Sequence, residues 1–243
     1  MTKRPYAVFD IDGTLIRWQL YHAIADLLVR SNIIDVKAYD TVLQARWNWK
    51  NRQGINSFSD YESTLVSLIN DSVKGLNHKV FIQACRDVFS KHQDQVYSFT
   101  RDLIDKLKKQ NYLIFALSGS PVEIVKLVAD YYKLDAYDGS IYEVKNGHLT
   151  GVQFPMLKHE KAEKLKQLIK QFNALHEGSI AVGDTATDIE MLETAAKAIA
   201  FNPNQDLFNI ARVKGWDIVV ERKNMIYQLN YKDGQYILAA TDR

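Results

Sequence analysis

The chain has 243 residues, of which 47% are hydrophobic and 25% are charged, and its formal net charge is +2. These values predict an ordinary globular protein with one large α/β domain, or a core with a small inserted domain. The nearly balanced charge argues against a nucleic-acid partner, and the one cysteine excludes an intrachain disulfide. Apolar runs of strand length and an N-terminus without a signal-peptide pattern predict a cytoplasmic protein that does not span a membrane.

The first predicted element is a strand at residues 7–10, and it ends in two acidic residues. Asp10 and Asp12 stand two positions apart and are followed by Gly13 and Thr14. This pattern leaves one carboxylate where the sheet ends, and a tight turn returns the second over it. Two carboxylates this close repel each other unless a cation lies between them, and oxygen ligands suit Mg²⁺. The alternative is an ordinary Asp-Gly turn after a strand.

The segment that follows, residues 20–91, has only helical periodicity. Tyr61, Leu65 and Leu68 illustrate the spacing, while the sequences at 54–57 and 75–77 indicate breaks between helices, with Ser57 as a predicted N-cap. A helical insert directly after the first strand predicts a cap over one end of the sheet. We therefore expect a cap at residues 19–91, a core at residues 1–18 and 92–222, and a tail at residues 223–243.

Strands and helices alternate through the rest of the core, which predicts a doubly wound parallel sheet with ligands at the carboxyl ends of its strands. A hairpin is predicted around Asn146-Gly147, and the alternating tail suggests another around Asp233-Gly234. The further predicted strands are residues 112–117, 179–182, 198–201 and 217–220, with the hairpin strands at 137–144 and 148–152. The predicted helices are residues 97–110, 121–132, 160–172, 187–195 and 206–214.

Two of these strands run into polar sequences. The first is followed by Ser118, Gly119, Ser120 and Pro121, and a hydroxyl with free backbone N–H groups at a helix start is suited to hold a phosphate. The alternative is Ser120 as a simple N-cap with proline at the first helical position.

The second polar sequence follows the strand at 179–182 and carries Asp184 and Asp188, four positions apart where the strand becomes a helix. The alternative for this pair is a helix cap. Between the two polar sequences, Lys158 and Lys161 begin a strongly basic helix, in which lysines usually lie on a solvated face.

In order and spacing, these elements resemble the haloacid dehalogenase superfamily, and within it the phosphoserine-phosphatase-like branch. The resemblance extends from residue 6 to about residue 220 and includes the helical cap between the first two motifs. The residues that match the four motifs are, in order, Asp10 with Asp12, Ser118, Lys161 (or less well Lys158), and Asp184 with Asp188.

The resemblance implies a Rossmann-like core with an inserted α-helical cap and a Mg²⁺-dependent phosphatase. Asp10 would be the nucleophile that forms an aspartyl-phosphate, and Asp12 would be the general acid and base. Mg²⁺ would be bound by Asp10, Asp184 and the backbone carbonyl of Asp12. An acid two residues after the nucleophile favours phosphoryl transfer, because the dehalogenases of the superfamily lack it.

The resemblance also implies roles around this centre. Ser118 and the Gly119 N–H would hold the phosphoryl oxygens, Lys161 would balance charge, and Asp188 would orient the metal shell or the lysine. Two alternatives stay open, namely a phosphotransferase that uses the same intermediate and a non-catalytic protein that binds a phosphorylated ligand.

The expected substrate is a small phosphorylated metabolite, but the sequence does not identify it, nor does it indicate the oligomeric state. Phosphoserine phosphatases commonly carry an acid in the early cap and an arginine deeper in it, where this chain has Gln19 and Leu65. Trp18 and Gln19 are therefore predicted to set specificity. Other residues that would line a substrate pocket, if they are not simply packing residues, are Arg17, Tyr21, His22, Arg46, Trp47, Trp49 and Arg52.

Overall fold

A computed structural model describes residues 3–242 and contains a nine-stranded sheet with helices on both faces. The strands are β1 Pro5–Phe9, β2 Leu113–Pro121, β3 Ala136–Lys145, β4 His148–Phe154, β5 Leu175–Gly183, β6 Lys197–Phe201, β7 Asp217–Arg222, β8 Met225–Lys232 and β9 Gln235–Asp242. They lie in the order β4-β3-β2-β1-β5-β6-β7-β8-β9. All neighbours from β3 to β7 in this order are parallel, whereas the pairs β3–β4, β7–β8 and β8–β9 are antiparallel.

Strand residues that alternate along the chain enter two separate hydrophobic clusters, which is why the sheet carries helices on both faces. In β1, Ala7 and Phe9 join the cluster with α5 and α6, whereas Tyr6 and Val8 join the cluster with α7, α8 and α9. These helices are α5 Ser98–Lys109, α6 Val122–Tyr132, α7 Lys158–Gln171, α8 Ile189–Glu193 and α9 Gln205–Lys214.

Four helices lie between β1 and α5, and their apolar faces continue the first cluster. They are α1 Leu20–Arg30, α2 Val36–Lys50, α3 Ser57–Ser72 and α4 His78–His92. The two chain connections to this group run side by side, since the Arg17 N–H donates to the Gln95 carbonyl and the Tyr97 N–H donates to the Leu15 carbonyl. This is the predicted architecture of a core with a helical insert.

Most predicted bounds agree with the structure within two residues, and the larger differences have local causes. β2 continues to Pro121 rather than ending at residue 117, because its pairing with β3 resumes at Pro121 after an irregularity. β5 begins at Leu175 rather than 179, where Leu175 pairs with Pro5 of β1. The predicted helix at 187–195 is a 3₁₀ turn, Ala186–Asp188, followed by the short α8.

The predicted N-cap at Ser57 is wrong. Asn56 occupies the N-cap position of α3, and the Ser57 hydroxyl instead donates to the Gly54 carbonyl (2.8 Å). The tail forms the antiparallel pair β8–β9 and joins the sheet beside β7. The predicted core and tail bounds include residues 1, 2 and 243, which lie outside the described residues, and the division into domains stays a prediction.

Candidate active site

Asp10 lies directly after β1, at the carboxyl edge of the sheet. Its backbone N–H donates to the Val182 carbonyl of the neighbouring β5 (3.0 Å), so the position is fixed by two adjacent strands. The residue is 4% exposed. Its carboxylate must therefore be stabilised by groups that the fold brings to it.

Lys161 provides the positive charge at this carboxylate. Its Nζ is 2.7 Å from Asp10 Oδ1 and 2.7 Å from Asp188 Oδ1, and all three side chains are buried. Burial alone would lower the Lys161 pKa, but the two carboxylates outweigh it and raise the pKa above its usual value. Lys158 points elsewhere, with its half-exposed Nζ 3.8 Å from Glu190. Of the two lysines, Lys161 is the one that contacts the site.

Asp188 holds the loop after β5 in place. Its second oxygen, Oδ2, accepts hydrogen bonds from the backbone N–H groups of Asp184 and Thr185, both at 3.1 Å. Gly183 has no room for a side chain, since a Cβ there would lie 2.5 Å from the Asp188 Cβ. Both Asp188 oxygens are thus engaged by the protein, and the residue positions Lys161 and the Asp184 backbone.

Asp12 is held by hydroxyls from β2 and by the first residue of α1. Its Oδ2 accepts hydrogen bonds from Ser118 Oγ (2.9 Å) and Ser120 Oγ (2.7 Å), and its Oδ1 accepts one from the Leu20 N–H (2.6 Å). Ser120 therefore does not cap α6, and the alternative interpretation of that serine is wrong. Gly119 is exposed between the two serines.

Asp184 completes an acidic cluster with Asp10 and Asp188. Each offers an oxygen, and these oxygens lie within 4.8 Å of one another. Burial, then the charges of Asp10 and Asp188, raises the pKa of Asp184 well above its usual value. Burial, with Asp188 and Asp12, also raises the pKa of Asp10 to about 7 against the opposing charge of Lys161. One lysine does not balance four acidic side chains, so this oxygen donor set fits a hard divalent cation.

The tight turn after Asp12 brings its backbone against this cluster. Gly13 has φ +84°, and a Cβ there would lie 2.1 Å from Asp184 Oδ2. Glycine is thus required at Gly13 both by the left-handed backbone conformation and by the space that Asp184 occupies.

A cavity of about 410 Å³ opens beside the cluster, between the helical insert and the loops that follow β1, β5 and β6. Trp18 and Gln19, predicted to set specificity, both line it. Of the other predicted pocket residues, Arg17, His22, Arg46 and Trp49 line the cavity, whereas Tyr21, Trp47 and Arg52 do not. The Tyr21 hydroxyl is instead hydrogen-bonded to that of Tyr142.

Sequence reasoning missed two groups, Ser120 and Glu62. Glu62, on α3, is half-buried, and its burial and then the charge of Asp12 raise its pKa to about 7, against the charge of Lys161. Ser120 could have been assigned to the site from the sequence, because it stands two residues after Ser118, and residues two apart in a strand point to the same side. Glu62 had no signal in the sequence, because helical periodicity does not tell which polar residue of α3 comes near Asp12.

Comparison with known proteins agrees with this geometry. The sequence model of the haloacid dehalogenase-like hydrolase family matches residues 7–193. This chain belongs to that family. A phosphoserine phosphatase of Lactococcus lactis subsp. lactis is 38% identical over 203 residues, which cover 83% of this chain and 85% of that protein. One of Archaeoglobus fulgidus is 23% identical over 225 residues, which cover 92% of this chain and 61% of that protein.

Solved structures of the family show the same fold. A phospho-aspartyl intermediate analogue of phosphoserine phosphatase superposes with a TM-score of 0.63 at 23% identity, covering 91% of this chain and 95% of that chain. The predicted family and the predicted α/β fold with a helical cap are confirmed. The chain is a phosphatase of this hydrolase family. Within residues 3–242, no helix is long and apolar enough to cross a membrane.

Proposed function

We propose that this chain is a Mg²⁺-dependent phosphatase that hydrolyses a small phosphomonoester through an aspartyl-phosphate on Asp10. The observation that carries the proposal is the contact of Lys161 with Asp10 and Asp188, beside Asp184 and Asp12. Lys161 holds one oxygen of Asp10 at 2.7 Å, which leaves Oδ2 as the oxygen for attack on phosphorus. The phospho-aspartyl analogue of the related phosphoserine phosphatase supports the same intermediate.

In the first step, an Asp10 oxygen forms a bond to phosphorus while the bond from phosphorus to the ester oxygen breaks. Asp12 gives its proton to the departing alkoxide. Burial raises the pKa of Asp12 against the hydrogen bonds that it accepts from Leu20, Ser120 and Ser118, and a raised pKa favours the role of proton donor. In the second step Asp12 takes a proton from water, whose oxygen attacks phosphorus and releases phosphate and the Asp10 carboxylate.

The remaining groups bind the phosphoryl oxygens and the metal. The Gly119 N–H would hold the phosphoryl group together with the Ser118 hydroxyl, which would turn from Asp12 to a phosphoryl oxygen while Ser120 keeps its hydrogen bond to Asp12. Asp10, Asp184 and the Asp12 carbonyl would hold Mg²⁺, and Asp188 would orient Lys161 and the Asp184 backbone. When bound, Mg²⁺ supplies positive charge that offsets the repulsion between phosphate and carboxylates.

The test is phosphate release from acetyl phosphate and p-nitrophenyl phosphate by wild type and Asp10→Asn, with Asp102→Asn as a control on the exposed side of α5. We expect Asp10→Asn to abolish turnover and retain the fold, and EDTA to stop the wild type until Mg²⁺ is added. Brief reaction and acid quench should trap a phosphoryl group on Asp10. Near-full activity of Asp10→Asn, or activity that persists through exhaustive chelation, would contradict the proposal.

Two further outcomes separate the alternatives. A phosphotransferase would pass the phosphoryl group to an added alcohol, so the yield of free phosphate would fall as alcohol is added. A non-catalytic binding protein would bind phosphorylated compounds without releasing phosphate from any of them.

Phosphoserine is the first natural compound to test, because the Lactococcus lactis relative is a phosphoserine phosphatase. The cap argues against it at two positions. Gln19 is uncharged where an acid would meet the ammonium group, and Leu65 is fully buried in the hydrophobic cluster where an arginine would meet the carboxylate. The substrate class must therefore be sought in the cavity itself.

A further inference from the structure

The cavity next to the acidic cluster offers a compartment for the alcohol part of the substrate. Gly13, Asp184 and Thr185, in the loops that follow β1 and β5, line one part of it. Its volume of about 410 Å³ lies in the range of about 300–1,000 Å³ for sites that enclose drug-sized ligands. Asp184 is the member of the acidic cluster that lines it, so a group held there would lie on the Asp184 side of a phosphoryl group at Asp10.

The wall formed by the cap is aromatic. Trp49 stacks on Tyr61 with ring centroids 5.3 Å apart and planes at 12°, and Phe58 packs against Trp49 at 5.0 Å. Trp49 and Phe58 are each only half-buried, so part of this wall is free to contact a ligand. Ile55, at the edge of the cavity, is 83% exposed and gives a further apolar contact.

The charges behind the aromatic wall are already paired. Arg46 donates to Asp26 (Nη2–Oδ1 2.8 Å) and through Nε to the Tyr61 hydroxyl (2.8 Å). Burial and then Arg46 lower the pKa of His22 to about 3, so its imidazole is uncharged. This network fixes Tyr61 and presents a rigid, nearly neutral surface.

The rest of the lining is mostly polar, and much of it comes from the loop after β6 and the start of α9. Gln205 and Asp206 are exposed there, and Arg17 lies over the Tyr97 ring at 5.6 Å. These residues offer hydrogen-bond donors and acceptors to a ligand in the cavity.

We infer that the substrate of the proposed phosphatase is a phosphomonoester whose alcohol carries a planar heteroaromatic ring, as in a nucleoside 5′-monophosphate. The inference rests on the proposed function. The ring packs against Trp49 and Phe58, where aromatic pairs prefer offset-stacked or edge-to-face contacts, and its polar edge faces Gln205 and Asp206. An aromatic wall with a few polar groups is the usual composition of such a site.

The test compares nucleoside 5′-monophosphates with ribose 5-phosphate, which has the same sugar and phosphate but no ring. We expect kcat/KM to be at least about tenfold higher for the best nucleotide, the order that one base–aromatic stack contributes. Acetyl phosphate and phosphoserine complete the panel. No preference over ribose 5-phosphate, or a highest kcat/KM on phosphoserine, would overturn the inference and leave the proposed phosphatase intact.

Substitutions in the cavity test where the ring of the substrate binds. Trp49→Leu should lower the ratio of nucleotide to ribose 5-phosphate kcat/KM by about tenfold, and a ratio within one variant is insensitive to loss of folded protein. Trp47→Leu, two residues away and outside the cavity, is the matched control and should leave the ratio and acetyl phosphate turnover unchanged. Trp18→Ala, with its side chain 38% exposed at the cavity, gives a second variant that does not disturb the core. An unchanged ratio in both cavity variants would contradict the inference.

Binding measurements distinguish the proposed phosphatase function from the proposed site for the ring. In Asp10→Asn, the nucleotide should quench tryptophan fluorescence at concentrations at which ribose 5-phosphate does not, and Trp49→Leu should remove most of the change. Phosphate release from none of the compounds, with this quenching present, would overturn the proposed function and support the ring site. Absence of quenching by any nucleotide would overturn the ring site.

Discussion

The Asp12 carboxylate accepts a hydrogen bond from the Leu20 N–H at 2.6 Å, so the proposed general acid is bonded to the first residue of the helical insert. Its other oxygen is bonded to Ser118 and Ser120 of β2. Asp12 thus lies between two parts of the molecule, and a movement of α1 would change its hydrogen bonding. In the proposed mechanism, this arrangement would couple the position of the insert to proton transfer.

Asp12→Asn tests the proton transfer. Because the amide cannot protonate a leaving alkoxide, we expect kcat/KM on an alkyl phosphate to fall roughly 10²–10⁴-fold and on p-nitrophenyl phosphate to fall much less. Steady-state rates on the two substrates, with Asp102→Asn as control, give the comparison. Equal losses on both substrates would argue against an acid role.

Lys161→Met tests the buried ion pairs. It leaves Asp10 and Asp188 without their cation, so we expect the free energy of unfolding in EDTA to fall by about 3–5 kcal/mol and activity to be lost. Lys158→Met is the matched control, since its Nζ is half-exposed and 3.8 Å from Glu190, and should change stability by less than about 1 kcal/mol. Urea unfolding of the two variants checks this, and similar losses in both would refute the assignment of Lys161.

Gly13→Ala tests the close approach to Asp184. A Cβ would lie 2.1 Å from Asp184 Oδ2, so the carboxylate must move and we expect both Mg²⁺ affinity and activity to fall at least tenfold. Gly234→Ala is the control, because Gly234 has the same φ of +84° but no atom within 4 Å of its Cβ position. Calorimetric titration with Mg²⁺ distinguishes the two variants. Equal Mg²⁺ affinity in both variants would contradict the expected displacement of Asp184.

Glu62→Gln tests the half-buried carboxyl on α3. Burial and then Asp12 raise the Glu62 pKa from 4.5 to about 7, so between these values the folded protein keeps a proton that the unfolded chain has lost. Stability therefore falls as pH rises through this window, and the loss is complete above about pH 7. The glutamine variant escapes this loss and should exceed wild type by roughly 1–3 kcal/mol at pH 8, and by less at pH 5.

Urea unfolding in EDTA at the two pH values measures the difference, with Glu177→Gln as an exposed control. A difference between Glu62→Gln and wild type that does not grow with pH would mean that Glu62 ionises as freely in the fold as in the unfolded chain.

The sequence by itself determined the fold class and the acids of the site, for a physical reason. Asp10 and Asp184 each follow a strand, and parallel strands that pair side by side end at the same edge of the sheet, so order along the chain becomes proximity in space. Local sequence likewise indicated the hairpin at Asn146-Gly147, since its turn depends on the residues within it.

Only the tertiary structure decided which groups contact one another across elements. Lys158 and Lys161 stand on the same basic helix, and its packing against β2 and α8 brings only Lys161 to Asp10. Trp49 lines the cavity and Glu62 lies close enough to Asp12 to feel its charge because α2 and α3 pack at particular rotations, whereas periodicity gives the buried face of a helix and not its neighbour. Trp47 and Trp49 show what the sequence alone could not decide. Both stand on α2, and only Trp49 lines the cavity.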